Sequence, residues 1–209
     1  MNTIAYLKNV YGYFEPIFLK DIRIGRKSKV AIRKELSRAV EKGLLARRGQ
    51  GVYSLIDPLT KMNGVTFEAI VERRFVKDDY GIPGLNLDIY GYYTGHTFLN
   101  QIGISQQVPA VIEVTTNNTS CKRNYVINNR TAILRKGKVT IDRFNYRILQ
   151  FFDMFSLLND DEMKESRELL VNYLVSSGFL KTDCENYLNL YSKRIQNIVR
   201  KSGLLEYFK

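Results

Sequence analysis

The sequence predicts an α+β protein in two parts. Residues 1–60 read as short helices closed by a hairpin, and residues 61–209 as a mixed α/β domain ending in about three helices. Three observations carry this. Apolar residues in the first segment recur at helical spacing, glycine and proline punctuate it, and the pattern turns wholly helical from Asn145 onward. Hydrophobic residues make up 44% of the 209 and aromatics 12%. That is enough apolar surface for a core and excludes a disordered chain.

In the first segment, Ile4, Leu7, Val10 and Tyr11 lie on one helical face. Phe14–Pro16 ends that helix, because the residue before a proline is pushed out of the α region. A second short helix is expected over Ile17–Ile24, turning Phe18, Leu19 and Ile22 inward, with Gly25 as its stop. A third follows Ser28, a good N-cap, although Ala31 at N3 denies it a full capping box. Ile32, Leu36, Ala39 and Val40 form its apolar stripe, and Gly43 sits where a left-handed C-terminal cap belongs. Leu44–Arg48 and Val52–Ile56 then read as two strands joined at Gly49-Gln50-Gly51. Glycine in the first central position would suit a type II′ turn.

The second part is expected to begin after a joint near Asp57–Gly64. Helices are expected over Phe67–Val76 and Tyr92–Ile104, with a loop at Gly81-Ile82-Pro83-Gly84. Strands are expected at Val108–Thr116, Arg130–Leu134 and Val139–Asp142, and helices near 145–158, 162–177 and 184–201.

The chain holds 32 Lys and Arg against 21 Asp and Glu, a formal charge of +11. The excess is uneven. Residues 1–60 carry twelve basic and five acidic residues, leaving +7, whereas 61–209 carry twenty and sixteen, leaving only +4. A local field of this kind suits a polyanion. The two cysteines exclude a disulfide framework and a four-thiolate zinc site, and the single histidine excludes any site needing two imidazoles. No apolar run is long enough to cross a membrane, and MNTIAYLKNVYGYF lacks a signal peptide's apolar core. The expectation is a soluble cytoplasmic protein with no membrane partner, no cofactor and no metal.

Helix, helix, basic-faced helix, glycine cap and short hairpin is the order of a winged helix-turn-helix. Opposite the apolar stripe of the third helix stand Arg33, Lys34, Ser37 and Arg38, with Lys27 and Lys29 leading into it. A helix about 10–12 Å across fits the B-DNA major groove. Arginine can then read guanine with two parallel hydrogen bonds, while lysine and serine reach base edges or phosphates. Arg47 and Arg48 approach the hairpin tip, suited to phosphates or a minor groove. These eight residues are the expected contacts to double-stranded DNA. Lys193, Arg194, Arg200 and Lys201 form a weaker basic group near the C-terminus.

The segment LSRAVEKGLLARRGQGVYSL, Leu36–Leu55, resembles the N-terminal winged-helix block of the AbiEi antitoxin family of type IV toxin–antitoxin systems, down to the Gly51-Val52-Tyr53 step. TGHTFLNQIGISQQVPAVIEVTTNN, Thr94–Asn118, resembles that family's second block: Ile102-Gly103-Ile104, then Gln107-Val108-Pro109, then a strand. His96 and Phe98 depart from the smaller residues common in such helices. The resemblance implies a two-part regulator. Its N-terminal domain would bind operator DNA and repress its own operon. Its C-terminal domain would counteract a nucleotidyltransferase-like toxin without need of a stable complex. A stand-alone regulator would share these features.

The enzymatic rival is a magnesium-dependent restriction-type nuclease using Asp88 and Glu113. That chemistry commonly places a lysine two residues after the acid, where Thr115 stands. No phosphate-binding glycine motif occurs, and no serine or cysteine lies at motif spacing from His96. Cys121 beside Lys122 and Arg123, and Cys184 at a helix start, read as ordinary thiols. No enzymatic activity is expected.

Overall fold

Ile17 and Phe18 run antiparallel to Tyr53 and Val52, and this long-range pairing organises the N-terminal region. The computed structural model describes residues 2–78 and 88–209 and mixes helix and strand, an α+β protein. Its chain divides into two units. The first runs through Arg74 and takes in Asp78 and Val126–Arg130; the second holds Phe75–Lys77, residues 88–125 and Thr131–Lys209.

In the first unit, α1 (Thr3–Val10) is capped by Asn2, whose side chain accepts from the Ile4 N–H at 2.9 Å. Strand β1 (Ile17–Phe18) follows. The helix expected over Ile17–Ile24 does not form. Leu19 N–H donates to the Gly51 carbonyl at 2.9 Å, and Asp21 N–H closes a turn onto Phe18 at 2.9 Å. Ile22 and Ile24 are buried while Arg23 between them is exposed, the alternation of extended chain rather than of a helix.

Helix α2 (Lys29–Glu41) begins where expected: the Ser28 hydroxyl accepts from the Ala31 N–H at 3.2 Å. It ends in a Schellman cap. Gly43 holds φ +66° while its N–H donates to Val40 and that of Leu44 to Ala39, both at 2.9 Å, so the last carbonyls are satisfied. Ile32, Leu36 and Ala39 are buried against Leu7, Tyr11, Ile17, Leu45 and Leu55.

Strands β2 (Leu45–Gly49) and β3 (Val52–Leu55) complete a sheet of order β1-β3-β2. The register slips between Arg47 and Gly49. Gly49 pairs with Val52, so the central turn residues are Gln50 and Gly51, and the positive φ of +70° falls on the second of them. A type II′ turn needs it on the first, so that expectation is corrected. Helix α3 (Phe67–Phe75) closes this stretch. The expected joint at Asp57–Gly64 therefore lies inside the first unit's run of chain.

The short strands β4 (Lys77–Asp78) and β5 (Asp88–Ile89) come next; the loop expected at Gly81–Gly84 lies outside the described residues. Strands β6 (Gly91–Tyr93), β7 (Ile112–Thr116), β8 (Arg123–Ile127) and β9 (Arg130–Lys136) form a sheet of order β6-β7-β9-β8, whose residues belong to the second unit except Val126, Ile127 and Arg130. β6 pairs antiparallel and β9 parallel to β7. Helix α4 (Gly95–Gln101) is shorter than the expected Tyr92–Ile104, because Gly91–Tyr93 is taken by the sheet. The strand expected from Val108 starts at Ile112, Val139–Asp142 is not a strand, and Arg123–Ile127 is a strand that was not anticipated.

The C-terminal region contains α5 (Tyr146–Met154), α6 (Asp160–Glu165), α7 (Arg167–Ser177), α8 (Lys181–Leu188) and α9 (Lys193–Lys201). The expected long helices 162–177 and 184–201 are thus broken, the first at Ser166 and the second at Asn189–Ser192. Their faces close over an aromatic core. Phe151 meets Phe155 edge to face, with ring centroids 5.1 Å apart, and Phe152 meets Tyr191 at 5.5 Å, a favoured packing of ring edges on ring faces.

Candidate nucleic-acid interface

The buried stripe of α2 fixes what its other side presents. With Ile32, Leu36 and Ala39 inward, Arg33, Lys34, Ser37 and Arg38 are all exposed. None makes a hydrogen bond or ion pair among the described residues. Lys29, in the first turn, is exposed as well, and so is Arg47 on β2. Lys29 and Arg33 share a small pocket with Gln50 and Gly51, which brings the start of α2 and the hairpin turn onto one surface.

Two of the eight expected contacts are tied down. The Lys27 ammonium lies 2.7 Å from Glu35, a carboxylate on α2 itself, and Glu35 also accepts from the Thr3 hydroxyl. The bond from Lys27, then that from Thr3, holds the Glu35 carboxyl below its ordinary value. Arg48 is half-buried and gives an Nη2 hydrogen bond to the Val65 carbonyl at 3.2 Å. It belongs to the packing beneath the hairpin, whereas Arg47 faces solvent.

Two cations that sequence reading did not select stand on the same surface. Lys20 and Arg74 line the pocket with Lys29 and Arg33. Lys20 was assigned to a helix that does not exist. Arg74 follows Arg73, which is buried beside Glu15 and Asp78, and helical spacing on α3 turns the two arginines different ways.

The groups considered for catalysis are not assembled into a metal site. No cluster of three or more His, Cys, Asp or Glu side chains able to hold a metal occurs among the described residues. Glu113 accepts from Arg135 Nη2 at 2.6 Å and from the His96 N–H at 3.3 Å. Gly95 lies against that carboxylate at φ +62°, and a Cβ there would collide with it. Asp88, His96 and Cys121 are exposed, while Cys184 is buried and its thiol is pushed up to about 11 by that burial. No helix among the described residues is long and apolar enough to cross a membrane. No protein-family model and no curated protein matches this sequence.

Proposed function

We propose that this protein is a winged helix-turn-helix transcriptional regulator that binds double-stranded DNA, with α2 entering the major groove and the β2–β3 hairpin acting as the wing. One observation carries the reading: α2 buries Ile32, Leu36 and Ala39, yet leaves Arg33, Lys34, Ser37 and Arg38 exposed on its outer side with no hydrogen bond or ion pair among the described residues. A purely structural helix has no need of three adjoining exposed cations, since their mutual repulsion is unfavourable. The sheet order β1-β3-β2 behind the helix supports it, since the hairpin projects from an element that the core already holds.

The likeness of Leu36–Leu55 and Thr94–Asn118 to the AbiEi-type blocks extends the proposal. The regulator would act in the cytoplasm on the operator of its own toxin–antitoxin operon and oppose a nucleotidyltransferase-like toxin. The test is a fluorescence titration of the upstream promoter. Arg33→Ala and Arg38→Ala should each weaken specific binding by about 1–3 kcal/mol and relax sequence preference. Unchanged affinity in the double variant would reject the reading. For the antidote role, expression of the full chain beside a nucleotidyltransferase-like toxin should restore growth that the toxin alone arrests.

A further inference from the structure

Lys20, Lys29, Arg33 and Arg74 come from three separate stretches of the first unit and converge on one pocket of about 220 Å³. Its remaining wall includes the Gln50–Gly51 turn, and no carboxylate among the described residues lines it. The Arg74 guanidinium lies over the Phe18 ring, 5.7 Å from its centroid, which orients the planar group. Lys20, Lys29 and Arg33 have no ion-pair partner among the described residues. Three such charges around so small a space repel one another unless an anion is shared between them.

The second unit provides a contrast. A larger pocket of about 800 Å³ also has basic residues in its wall, but Asp160 and Asp161 stand among them. There Lys164 reaches Asp161 at 3.5 Å and Arg167 donates to the Ser202 carbonyl at 2.6 Å. That pocket sets two carboxylates against its four cations, whereas the described lining of the smaller one holds none.

We infer that the pocket between the start of α2, the Gln50–Gly51 turn and Arg74 is a phosphate-binding site that seats one backbone phosphate of the bound duplex. The inference rests on the DNA-binding reading for the source of the phosphate, but not for the site itself. A tetrahedral oxyanion presents oxygens in several directions at once, so it can accept from cations that enter from different elements. Seating it would fix the distance between α2 in the groove and the hairpin turn, and hence the register in which Lys34, Ser37 and Arg38 meet the bases.

The probe is inorganic phosphate, compared with chloride at matched ionic strength, with thermal unfolding of the full chain as readout. In the wild type the midpoint should climb steadily with phosphate concentration, as mass action requires of a ligand bound only by the folded state. Lys20→Ala/Lys29→Ala, changes at two exposed positions, should retain only the general salting effect of phosphate. Gln50→Glu, which supplies a tethered carboxylate, should raise the midpoint in chloride and abolish the specific phosphate response. Equal phosphate responses in all three proteins would overturn the site. In duplex titrations, the double lysine variant should bind every sequence more weakly, with a log–log salt slope shallower by about one. A specific phosphate response without any duplex binding would sink the DNA reading and leave the anion site standing.

Discussion

The Lys27 ammonium and the Glu35 carboxylate sit 2.7 Å apart, eight residues away from each other in the chain. They fasten the segment before α2 to the middle of that helix, and the Thr3 hydroxyl on α1 joins the same carboxylate. The pair is about two-thirds buried on each side, so its strength is cut by solvent. Glu35→Gln should therefore cost no more than about 1 kcal/mol in urea unfolding at pH 7. Because the Glu35 carboxyl is held below its ordinary 4.5, its stabilising contribution is present above that value and disappears as pH falls through the lowered one. The same variant frees Lys27 and removes a negative charge from α2, so non-specific duplex binding should tighten. Unchanged or weaker binding at low salt would count against a DNA role for this helix.

Arg47 and Arg48 are neighbours with opposite expectations. Arg48→Ala removes the bond to Val65 and should lower unfolding free energy by about 1–2 kcal/mol. Arg47→Ala should leave unfolding unchanged. Instead it should weaken all duplexes alike and flatten the salt dependence by about one ion. Urea melts and salt-dependent titrations of the two single variants separate these effects.

Glu113 offers a test of the nuclease alternative. Its carboxylate is nearly buried and bonded to Arg135, so Arg135→Ala should destabilise the protein by about 1–3 kcal/mol through the carboxylate left without its partner. Supercoiled plasmid incubated with wild-type protein and magnesium should stay intact. Cleavage by the wild type that is lost in Glu113→Gln and Asp88→Ala would instead establish the nuclease reading.

Asp153 titrates in the opposite sense to Glu35. Burial raises its carboxyl above 3.8, opposed in part by the Tyr92 hydroxyl, which donates to it at 2.9 Å, and by the charge of Lys138. The folded state thus holds the proton more tightly than the unfolded chain. The resulting stabilisation is complete below 3.8 and is lost as pH rises through the higher folded value. Asp153→Asn keeps an acceptor for Tyr92 and removes the charge, so at pH 7 it should unfold at no lower urea concentration than wild type. Its stability should also vary less over the acidic range, which a pH series of urea melts reads directly.

Local signals made α2 legible: Ser28, an apolar stripe and Gly43 each act within a few residues, and each performs its expected part. Ile17–Ile24 was misread because so short an apolar stretch fits both periods, and its partners, Val52 and Tyr53, lie far along the chain. The same reason separates the two halves of the site. Exposure of Arg33, Lys34, Ser37 and Arg38 follows from one helix's periodicity. The ties of Lys27 to Glu35 and Arg48 to Val65, and the meeting of Lys20 with Arg74, depend on tertiary packing that no spacing rule contains.

The slip of register between Arg47 and Gly49 falls on β2, an edge strand of its sheet. A margin of unpaired amides and carbonyls invites strands from other molecules to dock along it. Here the irregularity interrupts the row, and arginine charge lies directly beside the break. Side-by-side growth of sheets is thereby discouraged by the same few residues that would meet a polyanion.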